Sequence, residues 1–322
     1  SSGWEAALTN TLNKGDKVLS ARFGQFSHLW IEMCKKLHIE VEVVDVDWGS
    51  GTPHDEFEKI LSQDKNHDIK AVLVTHNETS TGVTNDVKAT RDLLNKLNHP
   101  ALLFVDGVSS IGSIKFEMDA WGVDVAVSGS QKGFMLPAGL AISCVSQKAL
   151  EIAKSANLPR AYFDYHDMLK INETGYWPYT NPMPLLRGLR EALTMMHEEG
   201  LDNIYARHLF LAQAVQKAST AWGLDLCAKD SSLYSNTVTA IMVPEGIDST
   251  DIVKTAYNKY NTSFGGGLNK VAGKLFRIGH LGDLNSTMIL GAISTAELAM
   301  YDVGIKFELG SGVAAAIKHL KV

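Results

Sequence analysis

Residues 100–110 read PALLFVDGVSS, and residues 124–141 read DVAVSGSQKGFMLPAGLA. Each opens with a short run of Val, Leu, Ala and Phe and ends in polar residues, the pattern of a strand buried on both faces. Three earlier stretches share that texture: DKVLSARF (16–23), EVEVVDV (40–46) and IKAVLVTHNE (69–78). Between them FSHLWIEMCKKLHI (26–39), HDEFEKILSQD (54–64) and DVKATRDLLNKLN (86–98) carry apolar residues at three- and four-residue spacing, as amphipathic helices do. Alternation of this kind predicts an α/β fold with a mostly parallel sheet covered by helices on both faces. In such sheets the polar chemistry gathers at the carboxyl ends of the strands. The residues so placed are Phe23, His76–Thr81, Asp106–Ser110 and Ser128–Lys132.

Beyond TNPMPLLRGLREALTMMHEEG (180–200) the texture changes to one long helical stretch, then SNTVTAIMVPEG, an amphipathic run over about Ser249–Tyr260, and a strand-like KLFRIGHLG. The expected organisation is a large domain over 1–199 and a smaller α+β domain over 200–322. The chain has 322 residues, 45% of them hydrophobic and 20% charged, enough for a core in each. A net charge of −6 gives no basic field for a nucleic-acid backbone, and no apolar run reaches the roughly 18 residues of a membrane span, so neither partner is expected. Cys34, Cys144 and Cys227 are far apart and form no CxxC, which argues against a disulfide framework or a cysteine metal site and for a reducing, cytoplasmic setting. The terminal KHLKV is not a peroxisomal signal of the SKL type, although a peroxisomal place stays open for a eukaryotic source.

Asp106 follows five apolar residues, so burial should raise its pKa unless a cation lies near; taken alone it is also a good turn or helix-cap aspartate. Lys132 is flanked by Gly133, Phe134, Met135 and Leu136, which should partly desolvate it and free its amine as a nucleophile or base; alone, it could equally be a snorkelling surface lysine. Together they meet the needs of pyridoxal phosphate. The carboxylate keeps the pyridine nitrogen protonated and the lysine holds the aldehyde as an imine. Ser128, Ser130 and Gln131 add donors suited to a phosphate, or to loop backbone. No GxGxxG follows a strand, which disfavours a nicotinamide-binding dehydrogenase.

VSGSQKGFMLPAGLA, FVDGVSSIGS, THNETSTGV and FRIGHLGDLN resemble the class V, fold-type-I pyridoxal-phosphate aminotransferases, and most closely the branch that uses serine, aspartate or alanine as donor to glyoxylate. The resemblance covers essentially the whole chain. It implies that Lys132 is the Schiff-base lysine and general acid/base, that Asp106 pairs with the pyridinium nitrogen and that Val108 packs under the ring. It implies Thr79 near the phenolic oxygen, Gln131 at the phosphate, Phe23 stacked on the ring where relatives often have tryptophan, and Arg277 on the substrate carboxylate. A strand-borne arginine that needs an anion agrees with that last role. His280 is read as structural.

Ser2 and Gly3, in SSGWE, stand at the phosphate-binding helix start, which is about three residues shorter than the family's form and should grip phosphate less firmly. The resemblance also implies a further upstream segment, and a homodimer with its sites at the subunit interface. There Thr180, in YWPYTNP, would reach the partner's phosphate, with Trp177 where relatives have tyrosine. The implied reaction is transfer of an amino group from a small amino acid to glyoxylate, giving glycine and a 2-oxo acid. The rival readings are a lyase or cysteine desulfurase, which needs a reactive cysteine, and a non-catalytic protein of the same fold.

Overall fold

A computed structural model describes residues 1–321. Six strands form the central sheet, in the order β2 (Glu40–Asp45), β1 (Lys17–Arg22), β3 (Ile69–Thr75), β6 (Leu102–Asp106), β7 (Val125–Gly129), β8 (Ala141–Val145). All pairs are parallel except β7 with β8, which is antiparallel. The mostly parallel sheet expected from the Val- and Leu-rich runs is thus present. The edge strand β8 falls within a segment whose glycines and proline did not suggest one. A two-stranded hairpin of β4 (Asn77–Glu78) and β5 (Val83–Thr84) extends from β3.

Successive residues of each central strand point to opposite faces. Leu102, Phe104, Val125 and Val127 join Val18, Ala71 and Leu73 under α1 (Ser2–Thr11) and α2 (Gln25–Lys36), where Trp4 and Trp30 stack with ring centroids 5.7 Å apart. Leu103, Val105 and Ala126 turn the other way, onto Phe57 and Leu61 of α3 (His54–Gln63) and Leu93 and Leu94 of α4 (Val87–Lys96). The inner strands β1, β3, β6 and β7 are therefore largely buried on both faces, and their carboxyl ends are where polar side chains gather. Because β2 and β3 flank β1 on opposite sides, the chain departs in two directions there, opening a crevice at the carboxyl ends.

After β8 come α5 (Gln147–Ala153), α6 (Tyr165–Asn172) and α7 (Met183–Glu199). Gly200, with φ of 84°, separates α7 from α8 (Leu201–Ala221). A second core follows, built by α8, α9 (Ser249–Tyr260), α10 (Ser286–Val303) and α11 (Ser311–Leu320). Its three-stranded sheet has the order β10 (Gly265–Gly266), β11 (Leu275–Gly279), β9 (Val238–Met242). Among the described residues no helix is long and apolar enough to cross a membrane.

One buried acid organises the end of this second core. Glu297, 3% exposed, accepts the Trp222 indole N–H at 2.9 Å and the backbone N–H groups of Gly310, Gly312 and Val313 at 2.7, 2.7 and 3.0 Å. It thereby caps α11, whose first turn has no other side-chain cap. Replacing Glu297 by Ala strands four donors out of water, and urea unfolding is expected to show a loss on the order of 2–4 kcal/mol.

Candidate active site

Asp106 ends β6 in the middle of the sheet, 4% exposed. Its backbone is fixed by pairing with Thr75 and Val127, and one carboxylate oxygen accepts the Val108 N–H at 2.9 Å. Among the described residues no lysine or arginine forms an ion pair with it. Burial pushes its pKa up to about 7; the Val108 bond opposes this, and the charge of Glu78 adds to it. The Trp4 indole also favours the ionised form, although its N–H does not meet full hydrogen-bond geometry.

Lys132 lies in the turn after β7, one strand along. Gly133 is what lets that turn settle against the turn after Asp106: a Cβ there would come 2.3 Å from the Ile111 carbonyl oxygen. The loop closes through Met135 N–H to the Lys132 carbonyl (2.9 Å) and Leu136 N–H to the Ser130 carbonyl (3.0 Å). The ammonium has no hydrogen-bond or ion-pair partner among the described residues. Its pKa is lowered by burial first and by the positive charge of Arg277 second, with Asp106 acting in the opposite sense. The desolvated lysine expected from the flanking apolar residues is what the structure contains.

Arg277 comes from β11, in the second core, and closes the third side. Its Nε donates to the Gly266 carbonyl and its Nη1 to the Thr79 carbonyl, both at 3.0 Å. No carboxylate pairs with it, and Nη2 has no protein partner among the described residues. Burial lowers its pKa, and Glu78 partly offsets this. Lys132 thus lies within electrostatic reach of both Arg277 and Asp106, and none of the three has an ion-pair partner among the described residues, an arrangement suited to an anionic ligand.

The remaining expected residues divide. Thr79 is at the site, its hydroxyl donating to Ser109 Oγ at 2.8 Å. Val108 packs at the edge of the α1–α2 core beside Asp106. Trp4, in the first turn of α1, lies close enough to Asp106 to act on it, and Ser2 in the same turn is exposed. Gly3 packs against β7, where a Cβ would meet Val127 Cγ1 at 2.5 Å; its lack of a side chain serves helix–strand contact. Gln131 is exposed and folds over Gly129, while Ser130 spends its hydroxyl on the Pro137 carbonyl (2.8 Å) and the Leu140 N–H (3.1 Å). The loop-bracing reading therefore fits Ser130 better than phosphate binding.

Phe23, at the end of β1, is 1% exposed and belongs to the apolar cluster with Ala21, Phe57 and Val74. Thr180 is exposed and meets none of these groups within its own chain. His280 is buried between Thr239 Oγ1 (2.8 Å) and the Asn236 carbonyl (3.0 Å), with its pKa pushed down to about 4 by burial. Sequence reasoning did not single out Glu78, a fully buried acid inside THNETSTGV.

The class of protein that this crevice, lysine, acid and arginine define is an α/β group-transfer enzyme with its site between two cores. The aminotransferase class-V family profile matches residues 4–265, and the chain belongs to that family, one of pyridoxal-phosphate enzymes. It is 59% identical to a serine–glyoxylate aminotransferase of Hyphomicrobium methylovorum over 98% of this chain and 78% of that one. It is 55% identical to an L-aspartate–glyoxylate aminotransferase of Paracoccus denitrificans, covering 99% and 81%. Among solved structures, pyridoxamine–pyruvate aminotransferase from Mesorhizobium loti superposes with a TM-score of 0.93 at 28% identity, over 99% of this chain and 81% of that one.

Asp106 carries a cost in the cofactor-free protein. Between about pH 4 and pH 7 the native state keeps a proton that the unfolded chain has released, so this residue's contribution to stability falls as pH rises through that window. Asp106→Asn keeps the acceptor for Val108 and removes the charge. Cofactor-free D106N is therefore expected to gain on wild type by up to about 4 kcal/mol between pH 4 and pH 8, while losing transamination. Urea titrations at the two pH values check this.

Proposed function

We propose that this chain transfers the amino group of a small amino acid, serine foremost, to glyoxylate, using pyridoxal phosphate. The single observation that carries the reading is desolvated Lys132 set in the fields of both Arg277 and buried Asp106, three groups with no ion pair among them. The relatives at 53–59% identity named for serine and aspartate support the choice of donor and of glyoxylate.

The donor set suits the cofactor. Asp106 would hold a pyridinium N–H, and Lys132 would carry the aldehyde carbon. The first amides of α1, with Ser2, are a ready anion site for the phosphate. When bound, pyridoxal phosphate supplies an electron sink for the charge left when a Cα–H bond breaks. The rest is done by the protein. Arg277 fixes the substrate carboxylate by charge and a planar fork of donors. Lys132, its pKa lowered by burial and by Arg277, would take the proton from Cα and deliver it to the cofactor carbon on the far side of the nitrogen. Asp106, held ionised by the ring proton, keeps that ring an acceptor of charge.

The thiols argue against a desulfurase. Burial pushes Cys34 up to about 12 and Cys227 up to about 11, and Cys144 is raised as well, so none is held as a thiolate. The ionisable groups Asp106, Lys132 and Arg277, desolvated and without ion pairs, likewise argue against a non-catalytic protein, since such groups are costly to bury unless a ligand uses them.

In this reading residues 1–199 form the cofactor domain and 200–322 the domain that brings Arg277. The molecule works as a homodimer in which Thr180 meets the partner's phosphate. Exposed aromatics beside Thr180 support that surface: Tyr176, Trp177 and Tyr179 are 73, 50 and 47% exposed, and Tyr179 lies against Tyr162 with centroids 4.9 Å apart. Three thiols with no disulfide among them suit a cytoplasmic setting.

Borohydride treatment of the cofactor-loaded protein is expected to attach the cofactor to Lys132, identified by peptide mass. Lys132→Ala should lower the rate of serine-to-glyoxylate transfer by a factor on the order of 10³ or more, as loss of a covalent and acid–base group does. Labelling of a different lysine, or sulfide release from cysteine outpacing glycine formation, overturns the assignment.

A further inference from the structure

Glu78 is a fully buried acid that the proposed reaction leaves unused. It sits in β4, just beyond the end of β3, and is 0% exposed. Oε2 accepts the backbone N–H groups of Phe26 and Ser27, both at 3.0 Å, in the first turn of α2. Oε1 accepts the Ser80 hydroxyl at 2.6 Å and the Ser80 N–H at 3.2 Å, and Ser80 Oγ in turn accepts the Gln25 N–H at 2.9 Å. Room for the carboxylate exists because residue 24 is glycine: a Cβ there would lie 2.2 Å from its Cγ and Cδ. Glu78 therefore stitches the segment that follows β3 to the helix that follows β1, across the crevice where the chain departs in two directions.

The next peptide carries the consequence. The Thr79 carbonyl accepts Nη1 of Arg277 at 3.0 Å, and the Thr79 hydroxyl is tied through Ser109 Oγ to the Asn77 carbonyl, at 2.8 Å for each bond. The other hold on the arginine is the Gly266 carbonyl on Nε. Gly265 leaves space where a Cβ would come within 3.1 Å of Nε. The direction of the guanidinium thus depends on where the 78–80 segment is pinned, and that segment is pinned by Glu78.

We propose that Glu78 is a positioning residue for substrate-carboxylate recognition: by clamping residues 78–80 to the start of α2, it holds the Thr79 carbonyl that aims Arg277 and leaves Nη2 for the substrate. It rests on the reading of Arg277 as the carboxylate anchor. The acid acts at a distance too, since its charge favours the ionised guanidinium against burial. Gln at 78 cannot replace it, because its two ends would have to accept from the α2 amides and from Ser80 together, and one end of an amide is a donor.

The test compares the holoenzymes of wild type, Glu78→Gln, Ser80→Ala and Arg277→Lys. Ser80→Ala loosens the same clamp by one hydroxyl and serves if Glu78→Gln does not fold. Steady-state rates with serine and glyoxylate are measured beside calorimetric binding of glycolate, a carboxylate with neither an amino nor an oxo group. The expected result for Glu78→Gln is KM for both substrates and Kd for glycolate up by about tenfold or more, kcat within about threefold, and an unchanged cofactor absorption band. Ser80→Ala should move the same constants in the same direction by less. If Arg277→Lys weakens glycolate binding and both clamp variants leave it alone, Glu78 has no positioning role. Loss of kcat with constant KM and glycolate Kd also overturns it. If Arg277→Lys itself leaves glycolate binding unchanged, the fault lies in the reading of Arg277.

Discussion

A carboxylate placed at the end of a central strand, out of water and without a cation in contact, is the constraint on which the rest of this site depends. Asp106 is held there by its neighbours in the sheet and by one bond from Val108, so it cannot swing to solvent. With nothing to balance it, it binds a proton up to about pH 7. A ligand carrying a ring N–H turns that liability into binding energy, because the charge becomes paired without moving the protein. The strand that carries Asp106 must be central and buried on both faces, which is why the αβ layering and the site cannot be separated.

The cations are arranged by the same economy of contacts. Lys132 and Arg277 repel one another mildly, both are desolvated, and neither is neutralised by an ion pair. Lys132 is kept at hand by the packing of Gly133 on the turn after Asp106, and Arg277 by two carbonyls and a glycine. Such preorganisation means that substrate binding need not reorder side chains, only supply the missing anion. The carboxyl groups that are satisfied, Glu78 and Glu297, accept backbone N–H groups at helix starts and so stiffen the frame around the groups that are not.

Much of this was legible in the residue order. The strand runs through Arg22, Thr75, Asp106 and Gly129 show their burial in unbroken Val, Leu and Ala, and the helices over 54–63, 87–96 and 249–260 show it in their spacing. Lys132 could be read because its flanking residues are apolar, and the family motifs added Arg277. Other features had no local signal. β8 has only exposed and half-buried positions and follows a segment broken by Gly133, Pro137 and Gly139, so it lacks the texture of the inner strands. The sequence left Ser130 open to a phosphate or to loop backbone, and tertiary packing turns its hydroxyl onto its own loop, while the near-complete burial of Phe23 has no local signal either. Glu78 was passed over because a carboxylate among threonines and serines looks like a solvated turn. Its burial is decided by amides in α2, some fifty residues earlier in the chain.

The proposed chemistry turns on a proton held between Asp106 and the ring nitrogen of the bound cofactor. Nitrogen-15 NMR of the protein loaded with ring-labelled pyridoxal phosphate reads that proton directly. A protonated pyridine nitrogen at pH 8 in wild type, and an unprotonated one in Asp106→Asn, is the predicted result. An unprotonated nitrogen in wild type, or a protonated one that survives the loss of the Asp106 charge, would contradict it.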